Sequence, residues 1–238
     1  ASVQLSANGK TVAIGAYGND SNGDGSGHVR VYQNIEGSWQ QIGEDIDGEA
    51  EGDSSGHSLS LSADGTVIAI GAPFNDGNGS KSGHVRLYEN IDGTWQQVGN
   101  DIDGEGQGYW LGYSVSLSDD GTVVAIGEKN NSENGLINGQ VRIYENIEGS
   151  WQQIGSDIDG EAQQDEFGGS VSLSSDGSVV AIGATGNDGN GGNSGQVQVY
   201  QNIAGTWQKI GIDINGEATD DLFGHAVTLS SDGTILAI

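Results

Sequence analysis

The chain has 238 residues, with seven Lys and Arg against 34 Asp and Glu, and its formal net charge is −27. Nucleic acids and anionic membrane surfaces attract positively charged proteins, so this balance argues against both and favours divalent cations or basic partners. No cysteine is present, which excludes disulfides and thiolate metal sites. No apolar run approaches the roughly 18 residues that a membrane-spanning helix needs, and no signal peptide is visible.

A 56-residue repeat organises the chain. The tryptophans Trp39, Trp95, Trp151 and Trp207 follow one another at this interval, with no insertion or deletion between them. A fixed period of about this length is typical of solenoids, propellers and arrays. We predict four full units and the first hairpin of a fifth, with the bounds 1–57, 58–113, 114–169, 170–225 and 226–238.

Each unit contains four runs of strand type. In the second unit, residues 58–62 alternate apolar and small polar side chains, and residues 66–70 are almost continuously apolar. Asp64-Gly65 between them is a strong hairpin signal, because both residues tolerate positive φ. Residues 84–88 form the third run, and the tryptophan lies in the fourth. The chain is therefore predicted to be all-β, a β-propeller of four-stranded antiparallel blades in which repeated Trp and Tyr residues pack between blades.

The partial fifth unit leaves the closure of the propeller open. Residues 226–238 repeat residues 2–14, so the chain starts and stops with the same two strands. Either a four-bladed ring closes with a redundant hairpin, or the chain is part of a longer array. We favour the longer array.

Several short motifs together resemble the FG-GAP repeat. They are Phe167-Gly168 and Phe223-Gly224 before a first strand, Gly71-Ala72-Pro73 after a second strand, and Gly93-Thr94-Trp95 in the last. This repeat builds the head of integrin α-chains, and a bacterial and algal form carries the same Gly-x-Trp strand. The resemblance implies an extracellular or surface propeller that binds or connects, and it does not imply an enzyme. The chain departs from the pattern at Ser55 and Leu111, which stand where the motif has Phe.

The integrin-type calcium loop is absent, because the turn between the first two strands is only Asp-Gly or Asn-Gly. A second acidic loop, between the second and third strands, resembles the opening of an EF-hand loop, in which side-chain oxygens surround calcium. The later loops keep part of this pattern, the third as Ser132-Glu133-Asn134. The metal ligands predicted from it are Asp20, Asn22, Asp24, Asp76, Asn78, Asp188 and Asn190. The alternative is a polar turn without an ion.

A further acidic cluster follows each tryptophan strand. In an up-and-down blade this loop emerges on the same face as the loop between strands two and three, so we predict an acidic rim that binds calcium or a cationic partner. Its residues are Asp45, Asp47, Glu49, Asp101, Asp103, Glu105, Asp157, Asp159, Glu161, Asp213 and Glu217.

No catalytic constellation is apparent in the sequence. His28 and His84 become Gln140 and Gln196 in the later units, which favours surface or strand-edge positions over catalytic ones. No glycine-rich phosphate loop followed by a lysine is present either.

Two further features concern sugars. Tyr109, Trp110 and Tyr113 form an aromatic cluster that is not repeated and could stack on a sugar ring. Asn19, Asn78 and Asn130 begin Asn-x-Ser sequons, which would be N-glycosylated if the protein is secreted by a eukaryote. Chance matches in Asn-, Gly- and Ser-rich turns are the alternative.

These observations predict a non-enzymatic extracellular scaffold, structural or adhesive, in one version part of a surface fibre. Its expected partners are other copies or further repeats of a longer chain, and a cell-surface protein or glycan. Calcium is the one cofactor considered. A lectin-like, carbohydrate-binding propeller is the alternative function.

Overall fold

The computed structural model describes residues 1–132 and 137–238. Among these residues the secondary structure consists of strands, and none forms an α-helix. Accordingly, no helix in the described ranges is long and apolar enough to cross a bilayer.

Five strands make up each of the first three units. In the first unit they are β1 (Ser2–Leu5), β2 (Thr11–Ala16), β3 (His28–Ile35), β4 (Ser38–Gln41) and β5 (Ile46–Asp47). In the second they are β6 (Ser58–Leu61), β7 (Val67–Ala72), β8 (His84–Ile91), β9 (Thr94–Gln97) and β10 (Ile102–Asp103). In the third they are β11 (Leu111–Leu117), β12 (Val123–Glu128), β13 (Gln140–Ile147), β14 (Ser150–Gln153) and β15 (Ile158–Asp159).

Residues 167–238 repeat this plan with small changes. The fourth unit contains β16 (Phe167–Leu173), β17 (Val179–Ala184), β18 (Gln196–Ile203) and β19 (Thr206–Asn215). A final hairpin is formed by β20 (Thr228–Leu229) and β21 (Leu236–Ala237). The unit boundaries given above stay a prediction, and the first strands of the third and fourth units begin three residues before the runs that the sequence suggests.

Each unit is one antiparallel sheet in which the first four strands are neighbours in chain order. The short strands β5, β10 and β15 pair with the beginning of the third strand of their own unit. The predicted all-β propeller fold with four-stranded blades is thus confirmed. This additional pairing, which the sequence did not reveal, brings the acidic residues after the tryptophan beside the first residue of the third strand.

The turn between the first two strands shows why Asp-Gly is used there. The Asp64 carboxylate accepts hydrogen bonds from the backbone N–H and the hydroxyl of Thr66, and Gly65 adopts a φ of 80°. A left-handed φ suits glycine, so the turn forms without strain.

The hydrophobic core lies between the blades. Ala13, Val29 and Val31 of the first unit pack with Ile68 and Ile70 of the second, and equivalent clusters fill the next two junctions. Apolar side chains on both faces of the second strand are buried in this way.

Adjacent units are also joined by two kinds of hydrogen bond. At the inner turns a backbone N–H donates to a carbonyl of the following unit, in the series Ala7 to Ala63, Ala63 to Asp119, Asp119 to Ser175 and Ser175 to Ser231. At the outer edge an indole Nε1–H donates to a carbonyl of the preceding unit, in the pairs Trp95 to Ile42, Trp151 to Val98 and Trp207 to Ile154. The tryptophans therefore fasten one blade to the next, as the sequence predicted.

Candidate metal centre and active site at the blade junctions

A cavity lies beside the tryptophan at each of the three junctions between full units. The largest, about 530 Å³, is at the first junction and is lined by residues 43–47 of the first unit and by Tyr88, Gly93, Thr94 and Trp95 of the second. The equivalent cavities at the second and third junctions measure about 280 and 340 Å³. Each combines carboxylates on one wall with aromatic rings on the other.

Asp45 and Asp47 of the first cavity wall form a group with the buried His28, called the His28 group below. His28 opens β3 and pairs in register with Asp47 on β5, which places the two side chains next to each other. The Nδ1 atom of His28 lies 3.6 Å from Asp45 Oδ2 and 3.9 Å from Asp47 Oδ1. His28 is 5% exposed, whereas the two carboxylates are partly exposed. These three groups could hold a metal ion.

Arg30 holds the Asp45 carboxylate from the solvent side. Its Nε and Nη2 atoms donate to both carboxylate oxygens at 2.7–3.0 Å, and Gln41 donates to Oδ1 at 2.8 Å. The hydrogen bonds from Arg30 lower the pKa of Asp45, so Asp45 is ionised over the whole neutral range. The carboxylate is therefore fixed in orientation and carries its charge.

A second group, Glu49, His84 and Asp101, is called the His84 group and could also hold a metal. His84 Nδ1 lies 4.0 Å from Glu49 Oε2 and 3.7 Å from Asp101 Oδ2. The nearly buried Arg86 contacts Glu49 at 3.3 Å. Burial and the charge of Arg86 lower the pKa of His84 to about 4, so its imidazole is neutral at pH 7. Burial and the neighbouring Asp101 charge raise the pKa of Asp103.

The later units replace the histidine by glutamine. Gln140 is buried in the third unit, where Arg142 pairs with the buried Glu128 and with Glu105. In the fourth unit Gln196 Nε2 donates to Asn215 Oδ1 at 3.1 Å. The same place in the scaffold thus holds an imidazole beside carboxylates in two units and an amide in the other two.

The predicted calcium loops use their side chains to close the turns. The Oδ1 atoms of Asp20, Asp76 and Asp188 accept backbone N–H groups five residues ahead at 2.7–2.9 Å. The side chains of Asn22, Asn78 and Asn190 donate to carbonyls of the acidic loop after the tryptophan strand, at Gly48, Gly104 and Gly216. Asp24 is exposed. Glu133 and Asn134 of the third loop lie outside the described residues. Calcium in these loops stays a prediction.

The two acidic loop types do meet at one rim, as those hydrogen bonds show. Asp45, Asp47, Glu49 and Asp101 contribute to the two histidine groups, and Asp103 lines the second cavity. The remaining rim residues belong to neither histidine group. Glu105 forms an ion pair with Arg142, and Glu161 and Asp213 form ion pairs with Lys209. Asp157 accepts a hydrogen bond from Gln153, Asp159 lines the cavity at the third junction, and Glu217 is exposed.

Trp110 and Tyr113, predicted to stack on a sugar, belong to a larger ring cluster. Their rings are 6.3 Å apart and nearly parallel, and Tyr113 lies 4.9 Å from His57. Phe74 contacts Trp110 edge to face, and the Lys129 ammonium lies 4.7 Å from the centre of the Tyr113 ring. The ring of Tyr109 lies over Gly106. Sugar stacking at these residues stays a prediction.

The three sequon asparagines are engaged in local hydrogen bonds. Asn19 Oδ1 accepts from the backbone of Ser21, and the side chains of Asn78 and Asn130 donate to the carbonyls of Gly104 and Gly108. Their glycosylation stays a prediction.

The burial of His28 and His84 beside carboxylates was missed from the sequence. Variation between units suggested surface or strand-edge positions, yet both side chains are buried. One signal could have revealed them: in each of the first two units, a histidine opens the third strand and an aspartate stands 17 residues later, after the tryptophan.

Comparison with known proteins supports the repeat and the fold. The family model described as FG-GAP repeat matches residues 157–200, in agreement with the resemblance seen in the sequence. No curated protein matches the chain significantly.

Two solved structures share the fold. One is a candidate 6-phosphogluconolactonase from Bacteroides uniformis, with 15% identity and a TM-score of 0.61, over 92% of this chain and 55% of that one. The other is the periplasmic gluconolactonase of Pseudomonas aeruginosa, with 18% identity and a TM-score of 0.65, over 98% of this chain and 63% of that one. The chain thus spans less than two thirds of either protein. At this identity the likeness shows the fold.

The predicted non-enzymatic scaffold is wrong in the light of these structures, and so is its lectin-like alternative. That prediction took the propeller repeat as the sign of a structural or adhesive protein without activity. The similar solved structures are named as lactonases. The physical reason for the error is that a fold does not determine function; the residues of a site do. The extracellular location and the expected partners stay predictions.

Proposed function

We propose that the chain belongs to a hydrolase that opens a neutral sugar lactone in the cavity of the first junction. The observation that carries this proposal is the composition of the cavity wall. Asp45 and Asp47 stand on one side and the rings of Tyr88 and Trp95 on the other, around a space of about 530 Å³. Such concave sites, with aromatic walls and a few convergent polar groups, are typical of small-molecule sites.

Asp47 is the proposed general base. Its carboxylate is partly exposed and lines the cavity, so it can accept a proton from a water molecule there. A water molecule attacks the ester carbonyl of the lactone while Asp47 takes the proton of that water. The bond between the carbonyl carbon and the ring oxygen then breaks, and the proton held by Asp47 passes to the ring oxygen. The product is the open-chain hydroxy acid, and lactone and water are consumed one to one.

Charge selects among lactones. The chain carries a net charge of −27, and three carboxylates, Glu44, Asp45 and Asp47, line the cavity. This field repels a phosphorylated substrate, so a neutral lactone such as gluconolactone is favoured over its 6-phosphate. The names of the two similar structures supply both compounds as test substrates.

The test is hydrolysis of gluconolactone followed in a pH-stat, corrected for the uncatalysed rate. The variant Asp47→Asn should lower kcat by about 100-fold or more, because removal of a general base costs roughly 10²–10⁴ in rate. Glu36→Gln is the control; Glu36 is an exposed turn residue between β3 and β4, and its loss of charge should leave kcat unchanged. Assays with added calcium and with chelator test the ion expected from the sequence. A rate equal to the uncatalysed one, or equal rates for the parent and Asp47→Asn, would refute the proposal.

A further inference from the structure

The His28 group contains buried polar atoms that the protein itself does not satisfy. His28 Nδ1 and Asp47 Oδ1 are both buried, and neither has a hydrogen-bond partner. The distances of 3.6 and 3.9 Å from Nδ1 to the two carboxylates are too long for hydrogen bonds. Leaving a buried polar group unpaired costs about 1–3 kcal/mol. The two atoms lie 3.9 Å apart, a separation that a single bound ligand can bridge.

The fourth unit shows how the same position is satisfied without a ligand. There Gln196 and Asn215 replace His28 and Asp47, and the two amides hydrogen-bond to each other at 3.1 Å. The scaffold can therefore close this position with a direct bond. In the first unit the pair is an imidazole and a carboxylate, and the direct bond is missing.

We propose that His28 Nδ1, Asp45 and Asp47 bind a divalent transition-metal ion, of which zinc is the representative. Zinc lies 2.0–2.1 Å from nitrogen and oxygen ligands in tetrahedral sites, which places neighbouring ligand atoms about 3.4 Å apart. The ligand atoms of the His28 group lie within 4.8 Å of one another, so a small contraction brings them to this spacing.

The ligand set distinguishes this ion from the calcium expected from the sequence. Calcium takes six to eight oxygen ligands, whereas this group offers one nitrogen and two carboxylates. Imidazole is a preferred ligand of zinc, copper, nickel and iron. Three protein ligands with one open position are typical of catalytic zinc sites, and Asp45 and Asp47 border the first cavity.

The His84 group is less suited to a cation. The side chain of Arg86 is 8% exposed and contacts Glu49, so a fixed positive charge already sits beside those ligands. Arg30, by contrast, is 45% exposed and approaches Asp45 from the solvent side. Solvent screens the charge of Arg30 more effectively, which leaves the His28 group as the stronger of the two sites.

The experiment is a calorimetric titration of the chelator-treated protein with zinc, followed by histidine NMR spectra. The variant His28→Gln places at this position the residue that the third and fourth units already carry, so the fold has room for it. It should weaken zinc binding by more than the roughly 100-fold that loss of an outer-shell partner causes. The matched variant His84→Gln should retain the tight site. In the parent protein the resonances of the His28 ring should shift on zinc addition.

The variant Gln140→His tests the effect of the neighbouring arginine. It puts an imidazole opposite Asp159, its partner in register on β15, but beside Arg142, whose side chain is 3% exposed, so it should add no tight zinc site to the third unit. Thermal unfolding of each variant without metal checks that the fold is intact. The proposal is overturned if the parent protein binds no zinc, if His28→Gln binds it as tightly as the parent, or if calcium binds equally well and independently of His28. None of these results is read from lactone hydrolysis, so failure of the zinc site and failure of the proposed activity are distinguishable, although Asp47 takes part in both.

Discussion

Replacing Trp95 by alanine should destabilise the protein far more than the same change at Trp39. Both tryptophans occupy the same place in the repeat, but only Trp95 has a described unit in front of it. Its indole packs against the core of the first junction and donates to the Ile42 carbonyl at 3.0 Å. Trp39 is 46% exposed, on a face that no described unit covers.

The magnitude follows from these contacts. Truncating a buried Trp to alanine costs about 3–5 kcal/mol. Trp95 is only partly buried, which lowers the packing loss to about 2 kcal/mol, and loss of the bond to the Ile42 carbonyl adds about 1 kcal/mol. We expect Trp95→Ala to lower the free energy of unfolding by about 3 kcal/mol and Trp39→Ala by about 1 kcal/mol or less.

Urea unfolding followed by circular dichroism measures both variants against the parent. The midpoint should fall clearly for Trp95→Ala and only slightly for Trp39→Ala. Because the two substitutions remove the same atoms from equivalent strands, they have the same effect on intrinsic strand propensity. Equal losses would show that the junction does not contribute as described.

Two more predictions concern buried charge and close packing. Burial raises the pKa of Glu128. The stability that this residue contributes is therefore present below its unfolded pKa and is lost as pH rises through its folded pKa. The stability of the parent relative to Glu128→Ala should be greater near pH 4.5 than at pH 7, and urea unfolding midpoints at both pH values test the sign. A Cβ at Gly183 would overlap the carbonyl oxygen of Gly224, just before the final hairpin, whereas a Cβ at Gly37 would meet open space. Gly183→Ala should thus lower the free energy of unfolding by several kcal/mol, and Gly37→Ala by only the roughly 1 kcal/mol that an unfavourable φ costs. Equal melting temperatures of the two variants would contradict this prediction.

Most of the fold could be predicted because its determinants are local and periodic. Asp64-Gly65 and its equivalents fix the hairpins, and the continuous apolar runs identify the second strands. The two-residue strands β5, β10 and β15 could not be predicted, because their pairing to the start of the third strand follows a chain reversal rather than a sequence pattern.

The candidate site was predicted only in part. The acidic residues after each tryptophan were recognised, and four of them contribute to the two histidine groups. The histidines were dismissed because they vary between units, although variation at one place of a repeated scaffold is also how a single unit acquires a site. The ring cluster around His57 was found only through Trp110 and Tyr113, since Phe74 and Tyr17 come from distant parts of the chain.

The double fastening of adjacent blades has a consequence for ligand choice. The backbone hydrogen bond at the inner turn and the indole hydrogen bond at the outer edge attach each blade to its neighbour at two separate points. Rotation of a blade about either point would break the hydrogen bond at the other. The distance between these two attachment points is therefore set by the main chain, and the first cavity resists both widening and collapse. A ligand of the first cavity would therefore have to fit a space of fixed width.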